Sequence, residues 1–296
     1  MAFEVVQLAE GCYHLQSGAN VGVVVQGDQA LVIDAGLDDD LGKRIKRTLE
    51  SLGVRLGALI LTHGHADHFG GAAYLRRVLP AFPVYAPPLE AAFISNPALE
   101  GMMLSAGAAP LDQLKGKFTL AQPCPVDHLL EVGRQRLLGI DLEIVPLAGH
   151  SPNQIGVRCG NILFSADAFL PIPTLHKYPV PFTVHMGQAL ATLERLKALE
   201  GVIFAPGHGT HLTDARETLA TNAAALQRVI ETTAAHLRAA PANDGTLTQA
   251  VCAALGDPLP NAVGYGLARA AVQAALVYLY EQGQAEITAG GAWRLK

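Results

Sequence analysis

Apolar and polar positions change their period several times along this chain, and each change marks an element. Residues 3–8 and 11–16 read as two short strands around Glu10-Gly11. Val21-Gly22-Val23-Val24-Val25 and Ala30-Leu31-Val32-Ile33 follow, joined at Gly27-Asp28, a hairpin-type turn. From Leu41 to Leu52 the period lengthens. Leu41, Ile45, Leu49 and Leu52 recur at three- and four-residue steps, which predicts an amphipathic helix with Lys43, Arg44, Lys46 and Arg47 on its solvated face. Gly57-Ala58-Leu59-Ile60-Leu61 is a short apolar run suited to a buried strand, and Ala72 to Leu79 reads as a helix. Residues 86–125 are rich in proline and alanine and predict short helices and loops rather than sheet. From Val126 to Val145 the strand pattern returns, with a turn at Gly139. Ile155–Cys159 and Ile162–Phe164 form a hairpin pattern turning at Gly160-Asn161. Phe169 to His185 reads as a Pro-rich loop, Gln188 to Leu199 as a helix, and Val202-Ile203-Phe204 as a strand. Helices are then expected over Asp214–Leu237, Thr246–Leu255 and Ala262–Gln282, with a terminal hairpin turning at Gly290-Gly291.

The chemistry concentrates where strand gives way to helix. In Thr62-His63-Gly64-His65-Ala66-Asp67-His68-Phe69-Gly70-Gly71, three histidines and an aspartate fall within six residues. The cluster follows an apolar strand, the place where α/β proteins put their sites. Gly64 and Ala66 keep intervening side chains small, so several ligands can enter one volume. Four such ligands cannot all serve one tetrahedral metal that also keeps an open position. Two metals, each borrowing ligands from elsewhere, is the economical reading. His150 in Ala148-Gly149-His150-Ser151-Pro152, Asp167 after Asn161–Ala166, and His208 in Ala205-Pro206-Gly207-His208-Gly209 are available, each beside small residues at the end of a strand-like run.

With these motifs in this order, the chain resembles the metallo-β-lactamase superfamily of hydrolases over roughly residues 3–212. The resemblance includes Ile33-Asp34-Ala35-Gly36, similar to the family's Asp-Thr-Gly-type turn. It implies an α/β fold, a four-layer αββα sandwich, as a catalytic domain over 1–212. A helical, winged-helix-like module would occupy 213–296. It further implies one metal on His63, His65 and His150, a second on Asp67, His68 and His208, and Asp167 bridging them together with a water or hydroxide. Asp67 and Asp167 would carry the catalytic role by fixing both cations and the hydroxide. Asp34 would brace the ligands, a turn-forming aspartate being the alternative. Zinc is the expected metal, with manganese and iron compatible with the same donors. In relatives, insertions like 86–125 lie over the metal cleft, so Phe93, Met102, Met103 and Leu104 are lid candidates, against plain packing. His176, Lys177, Tyr178 and His185 are candidates for substrate contact, against ordinary exposed loop residues. Asn153 stands where many relatives carry a small residue, and either a left-handed turn or an amide offered to substrate would account for it.

Composition narrows the partners. Half of the 296 residues are apolar, 16% are charged and the net charge is −5, which suits a packed globule and disfavours a broad nucleic-acid or anionic-membrane footprint. No uninterrupted run of eighteen apolar residues occurs, so no membrane span is expected, and the start lacks a basic region followed by an apolar run, so cytoplasm is the expected location. Cys12, Cys124, Cys159 and Cys252 are scattered and read as reduced, buried thiols. From His211 to Lys296 there are six Lys or Arg against seven Asp or Glu, so the tail is expected to pack or to form a homodimer rather than bind nucleic acid.

The functional expectation is a dinuclear metal-dependent hydrolase acting, through the bridging hydroxide, on a small-molecule thioester, lactone or other ester, comparable to glyoxalase II-like relatives. The helices with which glyoxalase II grips glutathione are not recognisable in the tail. A phosphodiesterase or endoribonuclease of the same fold is the alternative suggested by the winged-helix-like tail. A mononuclear-iron, persulfide-dioxygenase-like oxidoreductase would use the positions of His63, His150 and Asp167 and leave the second ligand set vacant.

Overall fold

The computed structural model describes residues 3–296, which divide into two compact units. The first is built from residues 3–147, Asn153–Ala168 and Leu199–Ala215, the second from Ala148–Pro152, Phe169–Ala198 and Arg216–Lys296.

The first unit holds two sheets. One runs β1 (Glu4–Ala9), β2 (Cys12–Gln16), β3 (Val21–Gln26), β4 (Gln29–Ile33), β5 (Arg55–Ile60), β6 (Val84–Ala86) and β7 (His128–Leu129), in sequence order across the sheet. The other runs β12 (Ile203–Pro206), β11 (Ile162–Ala166), β10 (Ile155–Cys159), β9 (Ile140–Pro146) and β8 (Gly133–Leu137). Strand side chains alternate between faces, and here that alternation divides the core in two. Val24, Leu31, Ile33, Ala58 and Ile60 point from the first sheet into a layer shared with Leu142, Ile144, Ile155, Val157, Ile162 and Phe164 on the second. The opposite face of the first sheet, through Leu15, Val23, Val32, Leu59 and Leu61, packs on three helices: α1 (Asp39–Ser51), α3 (Ala72–Val78) and α4 (Pro88–Ser95). Ile45, Leu49, Leu75 and Ile94 are the helical side of that contact. A four-residue helix, α2 (Ala66–Phe69), precedes α3. The 86–125 segment adds α5 (Ala98–Leu104) and a single 3-10 turn at Asp112–Leu114, short helices and loops as its composition predicts.

The strands that carry the chemistry end in parallel pairs. β4 pairs β5 and β11 pairs β12 in parallel, so the C-terminal ends of each pair open on the same side. Asp34 follows β4, Thr62 and His63 follow β5, Asp167 follows β11 and His208 follows β12.

The second unit contains α6 (Ile172–Lys177), α7 (Met186–Lys197), α8 (Arg216–Ala239), α9 (Asp244–Leu255), α10 (Ala262–Glu281) and the hairpin β13 (Ala285–Ile287) and β14 (Trp293–Leu295). α6 corrects the expectation of an unstructured Pro-rich loop. Pro171 precedes the helix and Pro173 lies in its first turn, where the missing N–H costs nothing and the fixed φ favours helix. Asn243 and Asn261 cap α9 and α10 by accepting from the N–H groups of Thr246 and Gly264. Ala242 pairs with Trp293, adding a one-residue rung to the terminal hairpin. α10 is long and apolar enough, by length and composition alone, to cross a membrane, yet Ala271, Val272, Ala275, Leu276 and Leu279 are buried where it packs on α8 and α9. All four cysteines are unbridged; Cys12, Cys124 and Cys252 are buried, whereas Cys159, at the end of β10, is only half-buried.

Candidate metal centre

Two of the strand ends in the first unit adopt a backbone that L-residues avoid. Asp34 has φ +63° and Ala166, immediately before Asp167, has φ +46°. Such conformations persist where surrounding contacts over-determine them. Asp34 is the clearer case. Its Oδ1 accepts the Thr62 N–H at 2.8 Å, and its Oδ2 accepts the Thr62 hydroxyl at 2.8 Å and faces His68 Nδ1 at 2.9 Å. The Thr62 oxygen in turn lies 3.0 Å from His63 Nδ1.

This network fixes imidazole tautomers. An ionised Asp34 only accepts, so His68 donates from Nδ1 and presents a lone pair at Nε2. Thr62 gives its proton to Asp34 and accepts from His63 Nδ1, which leaves the lone pair of His63 at Nε2. His208 follows the same rule: its Nδ1 lies 2.6 Å from the Gly18 carbonyl, so Nε2 is the nitrogen that can hold a metal. A carbonyl or carboxylate behind a ligand imidazole orients it and raises its basicity. The loop that supplies Gly18 is itself held to the His208 turn. Asn20 donates from its side chain to the Pro206 and Gly209 carbonyls at 2.9 and 2.7 Å, and from its backbone to the Gly207 carbonyl at 2.8 Å.

Carboxylates complete the set. His208 Nε2 lies 3.4 Å from Asp67 Oδ2 and 3.3 Å from Asp167 Oδ2, and His68 Nε2 lies 3.4 Å from Asp167 Oδ1. One donor atom each from Asp67, His68 and His208 falls within 4.8 Å of the others. The His63 and His65 rings stand 4.6 Å apart, and those of His63 and His68 4.2 Å apart. Gly207 leaves room for this arrangement, since a Cβ there would collide with Asp167 Oδ1 and His68 Cε1.

The titration behaviour reports the same crowding of negative charge. Burial works to lower the His68 pKa, yet the Asp167 and Asp67 carboxylates raise it well above the ordinary value. Asp167 above all raises His208 to about 10, against burial. Burial pushes the Asp67 carboxyl up, but His68 and His208 bring it down to about 2. His68 Nε2 is buried and makes no hydrogen bond. A buried imidazole nitrogen turned toward carboxylate oxygens fits a divalent cation, and this mixture of imidazole and carboxylate donors suits zinc, manganese or iron.

His150 belongs to the second unit, where its Nδ1 lies 3.2 Å from the Phe182 carbonyl and its loop is packed on α7: a Cβ at Gly149 would collide with Ala189. Its lone pair is therefore also at Nε2. Of the substrate-contact candidates in the same unit, His185 caps α7 by accepting from the Gln188 N–H, and Lys177 stacks over Tyr178 with 5.0 Å from Nζ to the ring centre. His176 lies in the last turn of α6. Asn153 does not take the left-handed conformation, and its N–H instead reaches Glu90.

Several contributors carry no local sequence signal. Thr62, Asn20 and Gly18 act through contacts between distant strands. Glu90 and Glu100, from the Pro- and Ala-rich segment, are buried beside the ligand turn: Glu90 Oε2 accepts the Gly64 N–H at 2.9 Å, and Glu100 accepts the Ala66 N–H. Of the lid candidates, Leu104 is buried, Met103 half-buried and Met102 exposed, with Phe93 packed against the Gly64 position.

Residues 16–208 match the family model described as the metallo-beta-lactamase superfamily. The chain is 28% identical over 152 residues to the probable metallo-hydrolase YqgX of Bacillus subtilis, covering 50% of this chain and 65% of that protein, just under two thirds of its length. It is 24% identical over 203 residues to a hydroxyacylglutathione hydrolase of Haemophilus ducreyi, covering 66% of this chain and 67% of that one. Among solved structures, a beta-lactamase domain protein from Burkholderia ambifaria superposes with a TM-score of 0.74 at 18% identity, covering 99% of this chain and 93% of the other.

Proposed function

Because the chain belongs to the metallo-beta-lactamase superfamily, we propose that it is a metal-dependent hydrolase acting on a small thioester, lactone or related ester. The observation that carries this reading is the convergence of Asp67, His68, Asp167 and His208, with each histidine turned by an oxygen behind its Nδ1. One metal would be held by His63, His65 and His150 and a second by Asp67, His68 and His208, with Asp167 as a further carboxylate donor. Bound divalent metals supply Lewis acidity and activate water near neutral pH.

The chain's own residues do the rest. Asp34 and Thr62 hold His63 and His68 in the tautomer that offers Nε2. Gly18 does the same for His208. Asp67, with its pKa near 2, and Asp167, also held well below the usual carboxylate range, stay ionised throughout the neutral range. They therefore act as anions that hold cations and accept hydrogen bonds from water, not as proton donors. The relative named as a hydroxyacylglutathione hydrolase supports a thioester as the first substrate to try.

A phosphodiesterase or endoribonuclease is the second reading. The three helices α8 to α10 followed by the β13–β14 hairpin and its Ala242 rung have the order of a winged helix, which supports it. The near-even balance of acidic and basic residues after His211 weighs against it.

The test is metal content by elemental mass spectrometry, followed by turnover of thioester, lactone, phosphodiester and β-lactam substrates. About two metals per chain with thioester or lactone turnover that is lost in Asp167→Ala supports the proposal. A single iron per chain with oxygen consumption, or phosphodiester turnover alone, would replace it.

A further inference from the structure

We propose that Glu90 and Glu100 are positioning residues for the His63–Asp67 ligand turn, acting on metal retention through the backbone. The inference rests on the metal-dependent hydrolase reading and deepens it.

The ligand turn alternates donors with spacers: His63, Gly64, His65, Ala66, Asp67. Both spacers give their N–H to a buried carboxyl group. Glu90 on α4 is 1% exposed and accepts from Gly64 at 2.9 Å. Glu100 on α5 is 5% exposed and accepts from Ala66. Ala66 opens α2, so its N–H has no partner within the helix and needs one outside it. The other oxygen of Glu90 accepts the N–H of Asn153 at 2.7 Å, three residues after His150 in the chain. One carboxylate thus ties the turn bearing His63 and His65 to the segment that follows His150. α4 lies so close to the turn that a Cβ at Gly64 would strike Phe93.

Burial keeps both carboxyl groups from touching substrate, so any effect on catalysis must pass through the turn they hold. Burying an ionisable side chain is costly, and two in one short segment need a compensating role. Fixing two ligand-turn amides supplies one, because outer partners of metal ligands set affinity by about ten- to a hundredfold.

The two residues make different demands on substitution. Glu90 accepts from two amides with two oxygens, so Glu90→Gln turns one acceptor into a donor facing an N–H while keeping the volume. Glu100→Gln keeps an oxygen for Ala66, whereas Glu100→Leu removes it. The experiment measures Zn2+ affinity of each full-length variant by competition with a chromophoric chelator, together with the visible spectrum of the Co2+ form. Steady-state kinetics on the best substrate and melting of the metal-free chain accompany it.

Glu90→Gln and Glu100→Leu are expected to bind Zn2+ about tenfold or more weakly, with an altered Co2+ spectrum and a fall in kcat at little-changed KM. Glu100→Gln should stay near wild type. Wild-type affinity and spectrum in both Glu90→Gln and Glu100→Leu would overturn the proposal. If Glu90→Gln fails to fold, the contrast between Glu100→Leu and Glu100→Gln decides alone. A wild-type chain that binds no Zn2+ or Co2+ removes the hydrolase reading itself, and the proposal with it.

Discussion

Lowering the pH should weaken the fold through one residue outside the candidate metal centre, His14. It lies in β2, is 1% exposed, and is held on both sides of its ring: Nε2 lies 3.1 Å from the Pro206 carbonyl and Nδ1 lies 3.2 Å from the Gln16 amide nitrogen. The carbonyl takes the Nε2 proton and the amide donates to Nδ1, so the ring is neutral and a second proton would break the Gln16 contact. Burial foremost, with His211 adding to it and the Pro206 carbonyl opposing, lowers its pKa from 6.5 to about 4. In the unfolded chain His14 takes up a proton as the pH falls through about 6.5, while the folded chain resists until about 4. Stability is therefore unaffected above that window and falls within it as the pH drops. At pH 5 the loss attributable to His14 is about 2 kcal/mol. Urea unfolding at pH 7.5 and pH 5 would measure it, with His14→Gln as the control that keeps an N–H for Pro206 but cannot titrate. The variant should lose about 2 kcal/mol less than wild type between the two pH values. Equal losses in the two proteins would refute the reasoning.

Three further outcomes are expected. Gly207→Ala should remove metal binding and most activity, because the new methyl collides with Asp167 and His68; metal content and circular dichroism would check the loss against an intact fold. Thr62→Val should weaken Zn2+ binding by about ten- to a hundredfold, measured by chelator competition, since it cuts the link from His63 to Asp34. Stripping metal with EDTA should lower the melting temperature, and added Zn2+ should restore it, because a metal held only by the folded chain stabilises it by mass action.

Much of the fold is legible because burial writes itself into the period of the chain. Val23 and Val32 face one core and Val24, Leu31 and Ile33 the other, which is why the early strands read clearly. The candidate ligand turns stand out because histidine and aspartate beside glycine at strand ends are unusual company. What stays hidden depends on partners far away in sequence. Nothing around Glu90 or Glu100 distinguishes them from solvated helix positions until α4 and α5 are laid against Gly64 and Ala66. His14 looks like any strand histidine until Pro206 is brought beside it. α6 is obscured for a local reason, since proline reads as a breaker unless its place in the first turn is recognised.

The chain passes from one compact unit to the other after residues 147, 152, 168, 198 and 215. During synthesis, the first unit cannot close its second sheet until β12 has emerged, by which time α6 and α7 are already exposed and still lack α8 and α10, on which they or their neighbours pack. The nascent protein therefore carries amphipathic helices whose apolar sides are uncovered for as long as translation of the last stretch, about eighty residues, takes. Stop codons in that stretch should yield chaperone-bound or degraded products, and gene fusions that exchange the tail at a single crossover should do the same unless α6 and α7 travel with it.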